Sequence, residues 1–349
     1  MKKIACIALV ILLLIVCFEI AAGPSGPASA QASRQAASIN KAAGARRFEK
    51  MSDHVYFLES KGDSANVTAV SAQEGFLLIN PPAEPELQPV LEAVRRIGAR
   101  PVRWVLDTDY LLERNGGGTT LLAQGAALLA SKELRQLASP TPAKDAKETP
   151  ADQPGKSPAA EESRADPGPR IFFTRQMRLF PDNLEIRIIA IQHKARTAGD
   201  IVVFVPAEKV LITGDLFESG SFPEVDSDAG GTALGWIDGL KQAIDTVPLL
   251  KSAVPPPKPD PRKPPPEEKT LEEQVTVIPG RGPRSNLQEM KDLMESALKL
   301  RSEMSKAVGA GRSRESLLNA SALGAARSLA NFESFANRLF DELSAQKAK

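Results

Sequence analysis

The chain has 349 residues, with Lys+Arg of 44 against Asp+Glu of 43 and a formal net charge of +1. No overall field draws it to nucleic acid or to anionic lipid, which excludes those partners on charge. Its two cysteines, Cys6 and Cys17, both lie in the first apolar run, so a processed product would have neither disulfides nor thiol ligands.

That run opens the chain. Lys2 and Lys3 precede "IACIALVILLLIVCF", and "GPSGPASAQA" follows, with Ala28 and Ala30 at the small-residue positions of a signal-peptidase site. Residues 1–30 are expected to be a signal peptide, which makes the protein exported, periplasmic or extracellular. The competing reading is an uncut anchor over Ile4 to Ala22, the one route to a membrane. Glu19, Pro24 and Pro27 speak against it. Val16 stands where a lipoprotein signal needs a small residue before Cys17. Residues 31–47 are Ala/Ser-rich and read as a flexible arm.

The folded part begins with "HVYFLES" and "NVTAVSAQEGFLLIN", β-branched and aromatic runs with turns at Gly62-Asp63 and Glu74-Gly75. Leu87, Val90, Leu91, Val94 and Ile97 recur at helical spacing, with Pro85 expected in the first turn. Val102 to Leu106 returns as a strand running into "DTDYLLERNGGG", a polar segment and glycine cluster where α/β folds display chemistry. "TTLLAQGAALLAS" predicts a helix and a strand near Ala127 to Ala130, and "SKELRQLA" a short helix. This alternation indicates layered α/β architecture.

Residues 139–170 have almost no large apolar side chains and cannot offset their chain entropy, so they read as a disordered insertion. Residues 254–269, "VPPPKPDPRKPPPEEK", form a second, extended and locally stiff. Either could dock on a polyproline reader; a solvated surface insertion is the plainer reading. Between them "RIFFTRQMRLF", "LEIRIIAIQH" and "DIVVFVPAEKVLITGDLF" predict consecutive strands, with a hairpin turn at Pro206 to Lys209. A helix follows with Trp236, Ile237, Leu240, Ala243 and Ile244 on one side, then a short strand in "QVTVIPGRGP". A long helix carries Leu287, Met290, Leu293, Met294, Ala297, Leu300 and Met304. Residues 309–349 are expected to be a C-terminal helical extension with Phe332, Phe335, Leu339 and Phe340 on an apolar stripe.

Taken together, "NVTAVSAQEGFLLIN", "WVLDTDYLLERNGGG", "HKARTAGDIVVFVPAEKVLITGDLF", "GGTALGWIDGL" and "VIPGRGP" resemble, in order and distance, the characteristic segments of the metallo-β-lactamase superfamily. The flavour is that of secreted members similar to the quinoprotein-relay zinc hydrolases. The resemblance covers residues 48–308. It implies an α/β fold, an αββα sandwich of two mixed sheets face to face with helices outside.

In that family a His-x-His-x-Asp-His turn, a later histidine, the aspartate of "TGD" and the histidine of "PGHGP" hold one or two zinc ions, which turn a bound water into a nucleophile. Residue by residue, the resemblance implies degenerate metal positions here. Asp109 stands at the first histidine position, Leu111 at the second, Glu113 at the aspartate and Arg114 at the last histidine. Arg196 and Arg281 stand at the two later histidine positions, and Asp215 keeps the family identity. Asn80-Pro81 stands where the family has Asp-Thr or Asp-Gly, removing another carboxylate.

Leucine has no donor atom, and a guanidinium keeps its proton and has no lone pair to offer a cation. The chain's two histidines, His54 and His193, read as structural side chains. Asp109, Glu113 and Asp215 in one partly buried pocket need counter-charges, and Arg114, Arg196 and Arg281 can bring three. A salt-bridge cluster in place of metal is therefore expected, with no cofactor.

Three readings stay open. The first is a non-catalytic pseudoenzyme with a binding role toward a protein partner or small ligand. The second is an arginine-lined anion-binding pocket. The third is a residual hydrolase holding zinc or another divalent metal through Asp109, Glu113, Asp200 and Asp215. Ser219 and Ser221 lack a histidine at recognisable spacing, and Gly116 to Gly118 lack the Lys-Ser/Thr of a phosphate loop.

Overall fold

Strand pairing divides the chain into two sheets, each made where β-branched and aromatic runs find neighbours. The computed structural model describes residues 46–60, 64–109, 117–137, 169–249, 274–314 and 324–347. The expected signal peptide, nearly all of the arm, the 254–269 insertion and all but the end of the 139–170 insertion lie outside them. The first sheet has seven strands in sequence order: β1 (Glu49–Lys50), β2 (Val55–Leu58), β3 (Val67–Ala72), β4 (Gly75–Ile79), β5 (Val102–Leu106), β6 (Ala127–Ser131) and β7 (Arg170–Phe173). It is antiparallel up to β4 and parallel from there to β7. A parallel step needs a crossover, and helix α1 (Leu87–Ile97) provides the one from β4 to β5. Helices α2 (Gly117–Ala123) and α3 (Lys132–Leu137) flank β6.

The second sheet has six strands: β8 (Gln176–Leu179), β9 (Ile186–Ala190), β10 (Ile201–Val205), β11 (Val210–Gly214), β12 (Thr276–Pro279) and β13 (Ser285–Asn286). Only β11 and β12 run parallel, bridged by α4 (Ala233–Leu249). Helices α5 (Leu287–Gly309), α6 (Gly324–Arg327) and α7 (Phe332–Lys347) complete the described chain.

Successive strand residues point to opposite faces, so a strand covered on both sides must be apolar throughout. Three cores result. Between the sheets lie Leu77, Ile79, Leu106, Ile188, Val203 and Ile212. Their neighbours Phe76, Leu78 and Val105 face outward to α1 and α2. Val202, Phe204 and Leu211 face outward to α4, α5 and α7. This is the expected αββα sandwich.

Three expectations need correction. Pro85 lies before the N-cap residue Glu86 of α1, and the proline of the first turn is Pro89, where an amide hydrogen would lack an intrahelical partner anyway. The first insertion ends before Arg170, which pairs with Leu128. The run 170–180 is two strands: it breaks at Thr174-Arg175, so that β7 closes the first sheet and β8 opens the second. The apolar stripe of the C-terminal extension packs into the outer core. Phe335 stacks on Phe222 at 4.6 Å and meets Trp236 edge-on at 5.0 Å. Glu342 accepts from the amides of Ala233 and Leu234 at 2.8 and 2.9 Å, capping the start of α4. Residues Arg47–Lys349 accordingly form one compact unit. Among the described residues, no helix is long and apolar enough to cross a membrane.

Candidate functional site

At one end of the sandwich the loops after β4, β5, β9, β11 and β12 meet, and each charged side chain there is held by its backbone. Asn80 follows β4 with φ of 54°. Its Oδ1 accepts from the Thr108 amide at 2.8 Å and the Thr108 hydroxyl at 3.1 Å. The Thr108 carbonyl accepts from Ile201 N at 2.9 Å, joining the β5 loop to the second sheet. Beside it, Gly214 has φ of +53°, and a Cβ there would fall 1.8 Å from Thr108 Oγ1. Glycine is required on both counts. At Gly280 a Cβ would lie 2.0 Å from Asp215 Oδ1, so this glycine lets the β12 loop close over the aspartate.

The charged groups converge around Arg196. Its Nη1 donates to Asp109 Oδ2 at 2.6 Å, and its Nη2 lies 3.3 Å from Asp215 Oδ2. Arg281 Nη2 approaches the same Asp215 oxygen at 3.4 Å. Arg196 is only 7% exposed. Burial pulls its pKa down, but the attraction of Asp215 and Asp109 outweighs that and leaves it raised. Removing one side of such a buried pair costs about 3–5 kcal/mol, because the other charge is left without compensation. Arg281, with a side chain 31% exposed, lines the open cleft. Its buried Nε has no hydrogen-bond partner.

Sequence reasoning assigned no role to Asp107. It is 8% exposed, and burial, reinforced by Asp109 and Asp215, pushes its carboxyl well above the ordinary aspartate value. The available signal was a carboxylate directly after an apolar strand, two residues before Asp109. Asn80, by sequence only a lost carboxylate, is the acceptor that orients Thr108.

The remaining predicted site residues divide clearly. Asp200, 1% exposed, is turned onto its own loop: Thr197 gives it an amide at 2.9 Å and a hydroxyl at 2.7 Å, one on each oxygen. Burial raises its pKa to about 7. Leu111, Glu113 and Arg114 lie outside the described residues. Ser219 donates to Glu289 at 2.7 Å and Ser221 to the Phe222 carbonyl at 2.9 Å. His54 pairs with Glu208 at 2.5 Å and His193 is exposed; neither lines the cleft. Among the described residues, no three His, Cys, Asp or Glu side chains are grouped to hold a metal ion. Two guanidinium groups engage Asp109 and Asp215, and Asp200 is held by Thr197, so these described carboxylates do not fit a divalent cation.

The cleft above the cluster has a volume of about 400 Å³, within the range of small-molecule sites. Asn80, Asp107, Asp109, Asp215 and Arg281 form its floor. The segment from Pro81 to Glu86 forms one wall.

Residues 125–282 match the family model described as the metallo-beta-lactamase superfamily. The chain is similar to the metallo-beta-lactamase from Pontibacter korlensis at 16% identity and a TM-score of 0.51, covering 72% of this chain and 99% of that one. It is also similar to DIM-1 metallo-beta-lactamase, at 17% identity, a TM-score of 0.47, and 72% and 98% coverage. The corresponding values for VMB-1 are 15% identity, 0.48, and 72% and 96%. No curated protein matches the chain. Two mixed sheets enclosed by helices, with charged loops gathered at one end, agree with the family match, and the chain has the metallo-β-lactamase-type fold.

Proposed function

We propose that the protein is an exported, non-catalytic metallo-β-lactamase-fold protein, in which an arginine-centred ion cluster stands in for divalent metal and the cleft above it serves binding. The observation that carries this reading is Arg196 bridging Asp109 and Asp215 at 2.6 and 3.3 Å. Arg196 and Arg281 together balance the two carboxylates, and neither guanidinium gives a bound water to activate. Export rests on the N-terminal sequence alone. The test is metal analysis of the purified protein, followed by lactam and thioester hydrolysis assays after zinc saturation. Zinc near one equivalent per chain, or metal-dependent turnover, overturns the reading.

The partial exposure of Arg281 and its unpartnered Nε favour a second reading, an anion site in the same cleft. Asp215 already engages Arg281, so an anion would have to compete with a carboxylate in place. The oxygen-donor hydrolase has less support, since Asp200 commits both oxygens to Thr197.

A further inference from the structure

We propose that the ligand of this cleft is a small organic cation, a primary ammonium or guanidinium group carried on a short apolar body. The inference rests on the non-catalytic binding reading above and names its ligand class. Among the described residues, the cleft lining holds five carboxylates, Glu84, Glu86, Asp107, Asp109 and Asp215, and one guanidinium, Arg281. Arg196, behind the floor, brings the arginines to two.

Asp107 is the independent observation. It lies in the cleft floor at 8% exposure. Among the described residues no ion pair reaches it, and Asp109 and Asp215 crowd it with like charge. Burying a carboxylate without a counter-cation is costly, and a cationic ligand placed over it removes that cost. The neighbouring wall supplies the rest of the fit: Ala65, Pro81, Pro82, Ala83 and Pro85 offer apolar surface with little side-chain entropy to lose. A hydrated metal ion makes no use of such a wall. An anion meets the acidic excess.

Calorimetric titration of the full chain with n-butylammonium chloride and with sodium butyrate, which share a four-carbon body, tests the proposal. The expected result is saturable binding of butylammonium, at least tenfold tighter than butyrate, weakened at least tenfold in Asp107→Asn. Glu84→Gln, on the exposed rim, changes no buried group and is expected to weaken binding by about threefold, which guards against a folding defect in the first variant. Butyrate binding equally or better, butylammonium failing to bind, or butylammonium binding equally to both variants overturns it. These failures are separable from failure of the parent reading: a metal-free, inactive chain that ignores butylammonium loses only the ligand assignment, whereas stoichiometric zinc removes the parent reading.

Discussion

Arg196 Nη1 sits 2.6 Å from Asp109 Oδ2, joining residues 87 positions apart in the chain. The same guanidinium reaches Asp215, so one side chain ties the β5 loop of the first sheet to the β11 loop of the second. Opposite charges meeting at a low-dielectric sheet end have no water to fall back on, which makes the arrangement all-or-none.

Arg196→Met therefore leaves two buried carboxylates with less compensation and is expected to lower stability by about 3–5 kcal/mol in denaturant unfolding. Adding Asp109→Asn to that variant removes one of the stranded charges. The double variant should be more stable than the additive sum of the two single changes. Strict additivity would show that the pair contributes nothing.

Gly280→Ala places a methyl group against Asp215, 2.0 Å from Oδ1 and 2.5 Å from its amide nitrogen. The nitrogen is backbone and cannot move aside cheaply. A loss of about 1–3 kcal/mol is expected from such overpacking. A thermal midpoint equal to that of the parent chain contradicts the close approach.

Asp200 gives the chain a pH-dependent stability. Its pKa rises from 3.8 to about 7 on folding, because burial disfavours the charge. A folded-state value above the unfolded one contributes stability that is fully present below about pH 4 and is lost as pH rises through about 7. The effect is on the order of a few kcal/mol. Asp200→Asn should flatten the fall in unfolding free energy between pH 5 and pH 8. An unchanged slope in the variant places the titration elsewhere.

Phe335→Ala should cost about 3–5 kcal/mol, as for other large aromatics lost from a core. Glu342→Ala should cost roughly 1 kcal/mol through loss of the α4 cap. Together these changes ask whether the last helix is integral to the domain. If deleting residues 332–349 leaves the unfolding midpoint unmoved, the packing of Phe335 between Phe222 and Trp236 carries no weight.

The sequence by itself determined the strands and helices whose periodicity their surroundings could not overrule. Leu77 to Ile79, Ile186 to Ala190 and Ile201 to Val205 are apolar at every position except Arg187, so they had to be covered on both faces whatever packed there. The five ordered segments pointed to the two-sheet fold, and the replacement of histidine by arginine pointed to a charge cluster at Asp109, Arg196 and Asp215. Tertiary structure alone decided the rest. Where 170–180 breaks depends on which sheet still offers an unpaired edge, and no local propensity encodes that. Whether the final helix packs against the domain depends on Phe222 and Trp236 leaving space for Phe335. Asp107 looks like any loop aspartate until Asp215 is brought beside it in the floor of the cleft. Asp200 looked like a free ligand until its loop folded Thr197 onto it. In both, the decisive quantity is removal of water from a carboxylate, which arises only when distant parts of the chain come together.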